Sequence, residues 1–241
     1  MRSLRFSDAI DEGRLLLHTN GAIRYVTYPA LDSFPGVSAL TTLRNELWPA
    51  PTTGQKLLPL AGPVVGEIMG IPFQNLVAGR QVHSTTVLSL SQGQRKASPP
   101  SEPLIVPSTD GFLTNLPQTG LIAVTADCLP IFLYNPKRSV VGLLHCGRAG
   151  TLADIVGVGL GKMRTDFGSD PADCVAMIGP SIGPCCYEVD LWEANERRLK
   201  ELGVSSVANC RVCTKCNSDH FYSYRAEREH AGRMISAIAL K

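Results

Sequence analysis

The stretch GLIAVTADCLPIFLYNPKRSVVGLLH, residues 120–145, decides the fold of this chain. It contains two continuous apolar runs, 120–134 and 139–145, which the turn-forming pair Asn135-Pro136 separates. Short apolar runs bounded by turn residues are typical of fully buried strands, and a short turn lets consecutive strands pair. We therefore predict that the two runs lie side by side in a buried sheet. Outside this stretch, residues 76–90 predict a pair of strands or one bent strand, and residues 174–179 predict a further short strand.

Helices are predicted between and after these strands. Thr151 is the expected cap of a helix whose buried face carries Leu152, Ile155, Val156, Leu160 and Met163. Asp190 is the expected cap of a second helix over 191–202, which Gly203 ends. A third helix is predicted over 226–240. Strands and helices interleaved in this way predict an α/β or mixed α+β sheet protein.

The length of 241 residues fits one large α/β domain or two small ones, and we expect a single domain over 1–241. Residues 91–107, rich in Ser, Gln and Pro, predict a surface loop rather than a domain linker, and residues 48–54 predict a second irregular segment.

Charge and hydropathy exclude several classes of function. The net charge is +2 and the basic residues are scattered, which argues against binding to nucleic acid or to an anionic membrane. No stretch approaches the roughly 20 apolar residues that span a bilayer. The first residues lack the apolar core of a signal peptide, so we expect a cytoplasmic protein.

Three residues form a candidate metal site because each lies next to a predicted buried strand and a turn. They are His83, Cys128 and His145. Two imidazoles and a thiolate suit Zn²⁺ or Cu²⁺, and three protein ligands leave a position for water or substrate, as in catalytic sites. The alternative is that each residue is an ordinary core side chain, and the spacing alone does not separate the two.

Several ordered motifs add to this hypothesis from about residue 75 to the end of the chain. They are Gln81-Val82-His83, Thr125-Ala126-Asp127-Cys128-Leu129-Pro130, His145-Cys146-Gly147, GPSIGPCCYEV at 179–189, FYSYR at 221–225 and Gly232-Arg233-Met234. The sequence resembles the YfiH-like family, also called laccase-domain or polyphenol oxidase proteins. The resemblance implies a fold shared with the cytotoxic necrotizing factor catalytic domain, zinc bound by His83, Cys128 and His145, and purine nucleoside phosphorylase activity with adenosine deaminase activity.

The chain departs from the family pattern in two places. The usual His-Ala-Gly-Trp-Arg-Gly reads His145-Cys146-Gly147-Arg148-Ala149-Gly150, so a basic group expected to hold an anion is displaced or lost. At the N-terminal end only PGVS, residues 35–38, matches the family motif, and substrate contacts from that end are not transferred.

The leading hypothesis is a zinc-dependent phosphorylase acting on adenosine, inosine and methylthioadenosine, with nucleoside and phosphate as its small-molecule partners. Cys128, His145 and Asp127 are the candidate catalytic residues, with Asp127 as a general base or as a residue that orients the site. The H-x-E and P-C-x-x-C signature of zinc deaminases is absent, so deamination needs a different arrangement of the site.

Three alternatives remain open to different degrees. A thiol hydrolase would use Cys128 as nucleophile and His145 as base. A multicopper oxidase needs many histidines, and five scattered ones without an H-x-H pair argue against it, although copper could occupy the same three ligands. A non-catalytic partner protein would bind the metal without turning over a nucleoside.

The remaining cysteines suggest a second hypothesis. Eight cysteines are many for a reducing compartment, where disulfides are rare. Cys210, Cys213 and Cys216 form a C-x2-C-x2-C run with His220 behind it, a spacing used by zinc and iron–sulfur sites. A second metal there is a minority interpretation, and Cys185-Cys186 is interpreted as structural.

Overall fold

The computed structural model describes residues 3–45, 47–48, 54–91 and 102–241. The strands are β1 (Leu16–Asn20), β2 (Ile23–Thr27), β3 (Val37–Thr42), β4 (Leu76–Gly79), β5 (Val87–Leu90), β6 (Leu104–Val106), β7 (Gly111–Thr114), β8 (Gly120–Thr125), β9 (Leu129–Asn135), β10 (Val140–Cys146), β11 (Val175–Ile178), β12 (Ser206–Asn209) and β13 (Met234–Leu240). The helices are α1 (Phe6–Asp11), α2 (Pro29–Asp32), α3 (Gly54–Met69), α4 (Arg148–Leu152), α5 (Ile155–Phe167), α6 (Leu191–Glu201) and α7 (Tyr224–Glu227).

The strands form two mixed sheets. The first has the order β1-β2-β3-β13-β8-β4-β6, and the second has the order β12-β11-β9-β10-β7-β5. β9 and β10 are antiparallel neighbours, which confirms the predicted pairing across Asn135-Pro136. The expected mixed α/β class is also confirmed, whereas the single domain over 1–241 stays a prediction.

The two sheets pack face to face and helices cover their outer faces. Leu121 and Ile238 of the first sheet share one buried cluster with Phe132 and Val141 of the second. On the outer side of the second sheet, α5 and α6 bury another cluster, and α3 buries a third on the outer side of the first sheet. The central strands are therefore buried on both faces, which explains why their sequences are continuously apolar rather than alternating.

The apolar run 120–134 is two strands rather than one. β8 belongs to the first sheet and β9 to the second, so the chain crosses between sheets at residues 126–128. The predicted strands within 76–90 are likewise separate, with β4 in the first sheet and β5 in the second. Both crossings carry predicted metal ligands.

The prediction of a C-terminal helix over 226–240 is wrong. Residues 234–240 form β13, which pairs with β3 and β8. All seven residues are buried, and such a segment offers no polar face that a surface helix could turn to water. Within the described chain, the helical residues just before β13 are limited to α7 and a short 3₁₀ turn at Arg228–His230.

The helix predicted from Thr151 is also corrected, because the chain breaks at Asp154. Asp154 adopts φ 64°, and its carboxylate accepts the N–H of Gly157 and caps α5. Leu152, expected on the buried face, is exposed. The predicted cap at Asp190 is confirmed, since its side chain accepts the N–H of Glu193, and Gly203 follows α6 with φ 87°.

Two irregular segments fall partly outside the described residues. Residues 92–101 of the predicted loop 91–107 lie there, and so do residues 49–53 of the segment 48–54. Within the described part of that loop, residues 104–106 form β6 instead, because they pair in parallel with β4. No helix among the described residues is long and apolar enough to cross a membrane.

Candidate functional site

The structure brings His83, Cys128 and His145 together, although they are far apart in sequence. Their ligand atoms all lie within 4.8 Å of one another, and the two imidazole ring centroids are 4.9 Å apart. Cys128 lies at the crossing from β8 to β9, and His145 lies near the end of β10 opposite Pro130. His83 reaches the same place from the connection between β4 and β5.

The backbone at this site is held in the left-handed region at two residues other than glycine. His83 has φ 62° and Asp127, next to Cys128, has φ 90°. Such conformations cost about 1–3 kcal/mol each and persist where surrounding contacts enforce them. Two contacts act here: Gln81 bonds to both the N–H and the carbonyl of Val124 at 2.8 Å, and the carbonyl of Asp127 accepts the N–H of Ile182 at 2.8 Å.

Asp110 holds the histidine side of the site and was missed by the sequence analysis. Asp110 is 3% exposed as a residue, and its carboxylate accepts the N–H of His83 and of Ser84 at 3.0 and 2.8 Å. It also accepts the N–H of Val82, and its Oδ1 is 2.9 Å from Nδ1 of His145. This bond fixes the ring of His145 so that Nε2 is free to act as a ligand or base. In the sequence, Asp110-Gly111 is typical only of a turn, so the sequence did not indicate that the Asp110 carboxylate holds the site.

The electrostatics favour a charged cysteine and a charged histidine. Burial opposes ionisation of Cys128, but the charge and hydrogen bond of His145 and the hydrogen bond of His83 lower the pKa of the thiol to about 6. Burial likewise opposes protonation of His145, yet Cys128 and Asp110 raise its pKa to about 9. Burial of Asp110 is outweighed by hydrogen bonds from His145 and Ser84, which hold its pKa well below the ordinary range.

The three side chains fit a metal ion. Zinc bonds of about 2.0–2.3 Å place tetrahedral ligand atoms about 3.3–3.8 Å apart, and the three ligand atoms here are grouped within 4.8 Å of one another. Gly147 leaves room beside the ligands, since a Cβ there would lie 2.7 Å from Cδ2 of His83 and 3.0 Å from Sγ of Cys128. A His₂Cys donor set with an open fourth position matches catalytic zinc chemistry.

Asp127 lies in the same wall, but both its carboxylate oxygens already have partners. Oδ1 accepts the hydroxyl of Thr214 at 2.6 Å, and Oδ2 accepts the backbone N–H of Arg225 at 2.6 Å. These bonds favour the orienting role over the general-base role, because a base needs a lone pair directed at its substrate. The catalytic assignment of Asp127 stays a prediction.

The candidate centre opens into a cavity of about 770 Å³, within the usual size range for small-ligand sites. The walls combine apolar and aromatic side chains with a set of cations. Its lining includes Val124, Ile182, Tyr187, Leu191, Tyr224, Arg80, Arg148, Arg225, Arg228 and Arg233.

Arg233 is one of the arginines that line the cavity. It is half-buried, and among the described residues no carboxylate lies within ion-pair distance of its guanidinium. One of its nitrogens donates to the carbonyls of Ala231 and Gly232, which fixes the side chain. Burial lowers its pKa, and the nearby charges of Cys128 and Asp127 oppose that effect. A fixed guanidinium without a carboxylate partner is suited to hold an anion.

The departure from the family pattern at Arg148-Ala149 lies beside the centre. Arg148 lines the cavity at the start of α4, with its guanidinium 3.8 Å from Glu188. Glu188 also pairs with Arg225 at 3.0 Å. Position 148 therefore supplies a cation to the cavity wall, although position 149 does not.

The residues of the C-x2-C-x2-C run and His220 do not come together in one metal site, as the minority interpretation required. Cys210 is buried in the core between the sheets, and the ring of His220 packs against Phe6 at 4.4 Å. Cys213 and Cys216 turn instead toward Cys185 and Cys186, and the ligand atoms of these four lie within 4.8 Å of one another. The pairing of two distant sequence segments is invisible from spacing along either one.

Comparisons with known proteins agree with this architecture. The family model described as "Multi-copper polyphenol oxidoreductase laccase" matches residues 64–191 and 188–241. A protein of Bacteroides thetaiotaomicron named purine nucleoside phosphorylase is 31% identical over 199 residues, covering 69% of this chain and 74% of that relative. Purine nucleoside phosphorylase YlmD of Bacillus subtilis is 29% identical over 208 residues, covering 73% of this chain and 75% of the relative.

A solved structure extends the likeness to nearly the whole chain. The crystal structure of the Bacillus licheniformis hypothetical protein YfiH superposes with a TM-score of 0.81 at 26% identity, covering 93% of this chain and 99% of that one. The sequence motifs and the two-sheet architecture are therefore both consistent with membership of one family. This chain belongs to the multi-copper polyphenol oxidoreductase laccase family of YfiH-like proteins.

Proposed function

We propose that this chain is a zinc-dependent purine nucleoside phosphorylase acting on adenosine, inosine and methylthioadenosine. The observation that carries the proposal is the His₂Cys centre opening into a cavity that also holds the fixed cation Arg233. The names of the relatives from Bacteroides thetaiotaomicron and Bacillus subtilis support the same reaction class.

In phosphorolysis a phosphate oxygen attacks C1′ of the ribose while the glycosidic C–N bond breaks. The bonding electrons go to the purine nitrogen, which takes up the proton that the attacking phosphate gives up. The products are the free base and the 1-phosphate of the sugar, which is ribose for adenosine and inosine and methylthioribose for methylthioadenosine. Arg233 would hold the phosphate dianion, with the exposed Arg228 at the same wall. Tyr187, Tyr224 and Ile182 offer the apolar and aromatic surface that a purine ring requires.

The metal ligands are His83, Cys128 and His145, and Asp110 orients His145. When bound, zinc supplies Lewis-acid polarisation and activation of water. We also propose adenosine deamination at this site, because that chemistry requires water activation in place of bound phosphate. Copper could occupy the same three ligands. Of the five histidines, only His83 and His145 belong to a group of side chains that could hold a metal within the described residues, so the histidines do not form the further copper sites of a multicopper oxidase.

The test is chromatography of adenosine, inosine and methylthioadenosine incubated with the purified protein, with and without phosphate. Free base released only with phosphate supports phosphorolysis, and inosine formed from adenosine without phosphate supports deamination. Metal-loaded protein that converts none of the three nucleosides would refute the proposed function.

A thiol hydrolase is the second candidate, because the pKa of Cys128 is lowered to about 6 and that of His145 raised to about 9, as in a thiolate–imidazolium pair. Metal analysis separates the two. A protein with zinc at these ligands, whose activity disappears on chelation and returns with zinc, supports the phosphorylase. A metal-free protein whose activity is destroyed by alkylation of Cys128 supports the hydrolase.

A further inference from the structure

Four cysteine side chains meet beside the cavity, in a group separate from His83, Cys128 and His145. This thiol cluster consists of Cys185, Cys186, Cys213 and Cys216, whose sulfur atoms all lie within 4.8 Å of one another. Sγ of Cys216 is 3.5 Å from Sγ of Cys185 and 3.4 Å from Sγ of Cys186. We propose that the thiol cluster binds one structural zinc ion.

The sulfur distances match tetrahedral metal coordination. Four thiolates bound to zinc at about 2.3 Å place their sulfur atoms about 3.8 Å apart. All four cysteines are free, and the observed separations are far longer than a disulfide bond of about 2.05 Å. Four sulfur ligands complete the coordination of zinc and leave no position for water, which makes the site structural rather than catalytic.

The backbone sets the positions of the sulfur atoms. Ser181 and Cys213 form a parallel bridge that joins the two cysteine-bearing segments, and the N–H of Thr214 donates to the carbonyl of Ser181 at 3.1 Å. Sγ of the buried Cys213 accepts the N–H of Gly183 at 3.3 Å, which fixes the position of this sulfur atom. Cys185 and Cys216 are exposed, so an ion can enter from solvent.

Both segments of the thiol cluster continue into the wall of the cavity. Tyr187, which follows Cys186, lines the cavity, and Thr214, which follows Cys213, bonds to Asp127 beside Cys128. An ion shared by the two segments would tie these walls together. Removing it is therefore expected to loosen the cavity without removing any residue from it. The zinc site itself does not depend on which reaction the cavity performs.

The test is zinc content per chain, measured by elemental mass spectrometry on protein purified anaerobically with reductant. We expect about two zinc ions in the wild-type chain and about one in H83A/C128S, which removes two ligands of the other centre. The variant C185S/C216S, changed only at exposed positions, is also expected to hold about one. C210A is the matched control, because Cys210 belongs to the same C-x2-C-x2-C run but lies in the core, and it is expected to keep about two.

Cobalt substitution supplies a readout that is independent of both activity and the folding of the cysteine variants. In H83A/C128S, one Co²⁺ per chain is expected to give strong thiolate-to-cobalt charge transfer and the visible bands of a tetrahedral site. A chelator should lower the Tm of this variant. The proposal is overturned if H83A/C128S binds neither zinc nor cobalt, or if the anaerobically reduced chain retains a disulfide between Cys216 and Cys185 or Cys186.

Discussion

Replacing Asp110 with Asn tests how far one buried carboxylate supports the candidate centre. The carboxylate accepts five donors: the N–H groups of Val82, His83 and Ser84, the hydroxyl of Ser84, and Nδ1 of His145. An amide offers one acceptor oxygen and one NH₂ group. Whichever way the amide turns, at least two of these donors face the NH₂ group and lose their partner.

The expected loss follows from those two donors. An unsatisfied buried donor costs about 1–3 kcal/mol, so D110N should lower the free energy of unfolding by roughly 2–6 kcal/mol. For a chain of this size, Tm falls by about 2–4 °C for each kcal/mol. Because His145 also loses its orienting partner, zinc affinity and kcat/KM should fall about 10–100-fold.

The assays are denaturant unfolding and zinc competition against a chromophoric chelator. The matched control is D166N, since Asp166 also accepts side-chain hydroxyl bonds but is exposed, and its unfolding free energy should change by less than about 0.5 kcal/mol. The reasoning is refuted if D110N keeps wild-type zinc affinity and unfolds no earlier than D166N.

Three further predictions concern the same cavity. In metal-free protein, the rate of Cys128 alkylation should rise as pH increases through about 6 and level off above it, because the thiolate forms above the lowered pKa. Peptide mapping should show that Cys146 stays unmodified, since burial raises its pKa. Added zinc should protect Cys128 from alkylation. G147A should lower zinc affinity about 10-fold or more, because its Cβ would lie 2.7 Å from the His83 ring. The control is G161A, whose Cβ would have nothing within 4 Å and which should stabilise α5 by about 0.5–1 kcal/mol. Wild-type zinc affinity in G147A would contradict the crowding argument. R233Q should raise KM for phosphate about 10-fold or more with the exposed R197Q as control, and an unchanged KM would remove Arg233 from the phosphate site.

The sequence determined those features that depend on neighbours along the chain. The pairing of β9 with β10 followed from two apolar runs around Asn135-Pro136, and α6 followed from Asp190 and Gly203. The motifs around His83, Cys128 and His145 also indicated a candidate ligand set; the structure brings the three side chains together, and their role as metal ligands stays a prediction.

Other features were decided only by the tertiary structure. The segment 234–240 is a strand because it lies between β3 and β8, and its buried neighbours outweigh a helical interpretation of its sequence. The expected helix breaks at Asp154, which has φ 64° and whose carboxylate accepts a hydrogen bond at 2.7 Å from Arg198, a residue distant in sequence.

The same distinction applies to the functional residues. Asp110 carries no recognisable motif, and its role arises from donors that belong to the segment 82–84 and to His145. The thiol cluster likewise joins Cys185-Cys186 to Cys213 and Cys216 across two turns while leaving Cys210 in the core. Sequence periodicity and spacing report contacts between residues that are close along the chain. The contacts of Asp110 and of the thiol cluster depend instead on which sheet each chain segment enters. The folded chain adopts the arrangement of sheets that buries the most apolar surface.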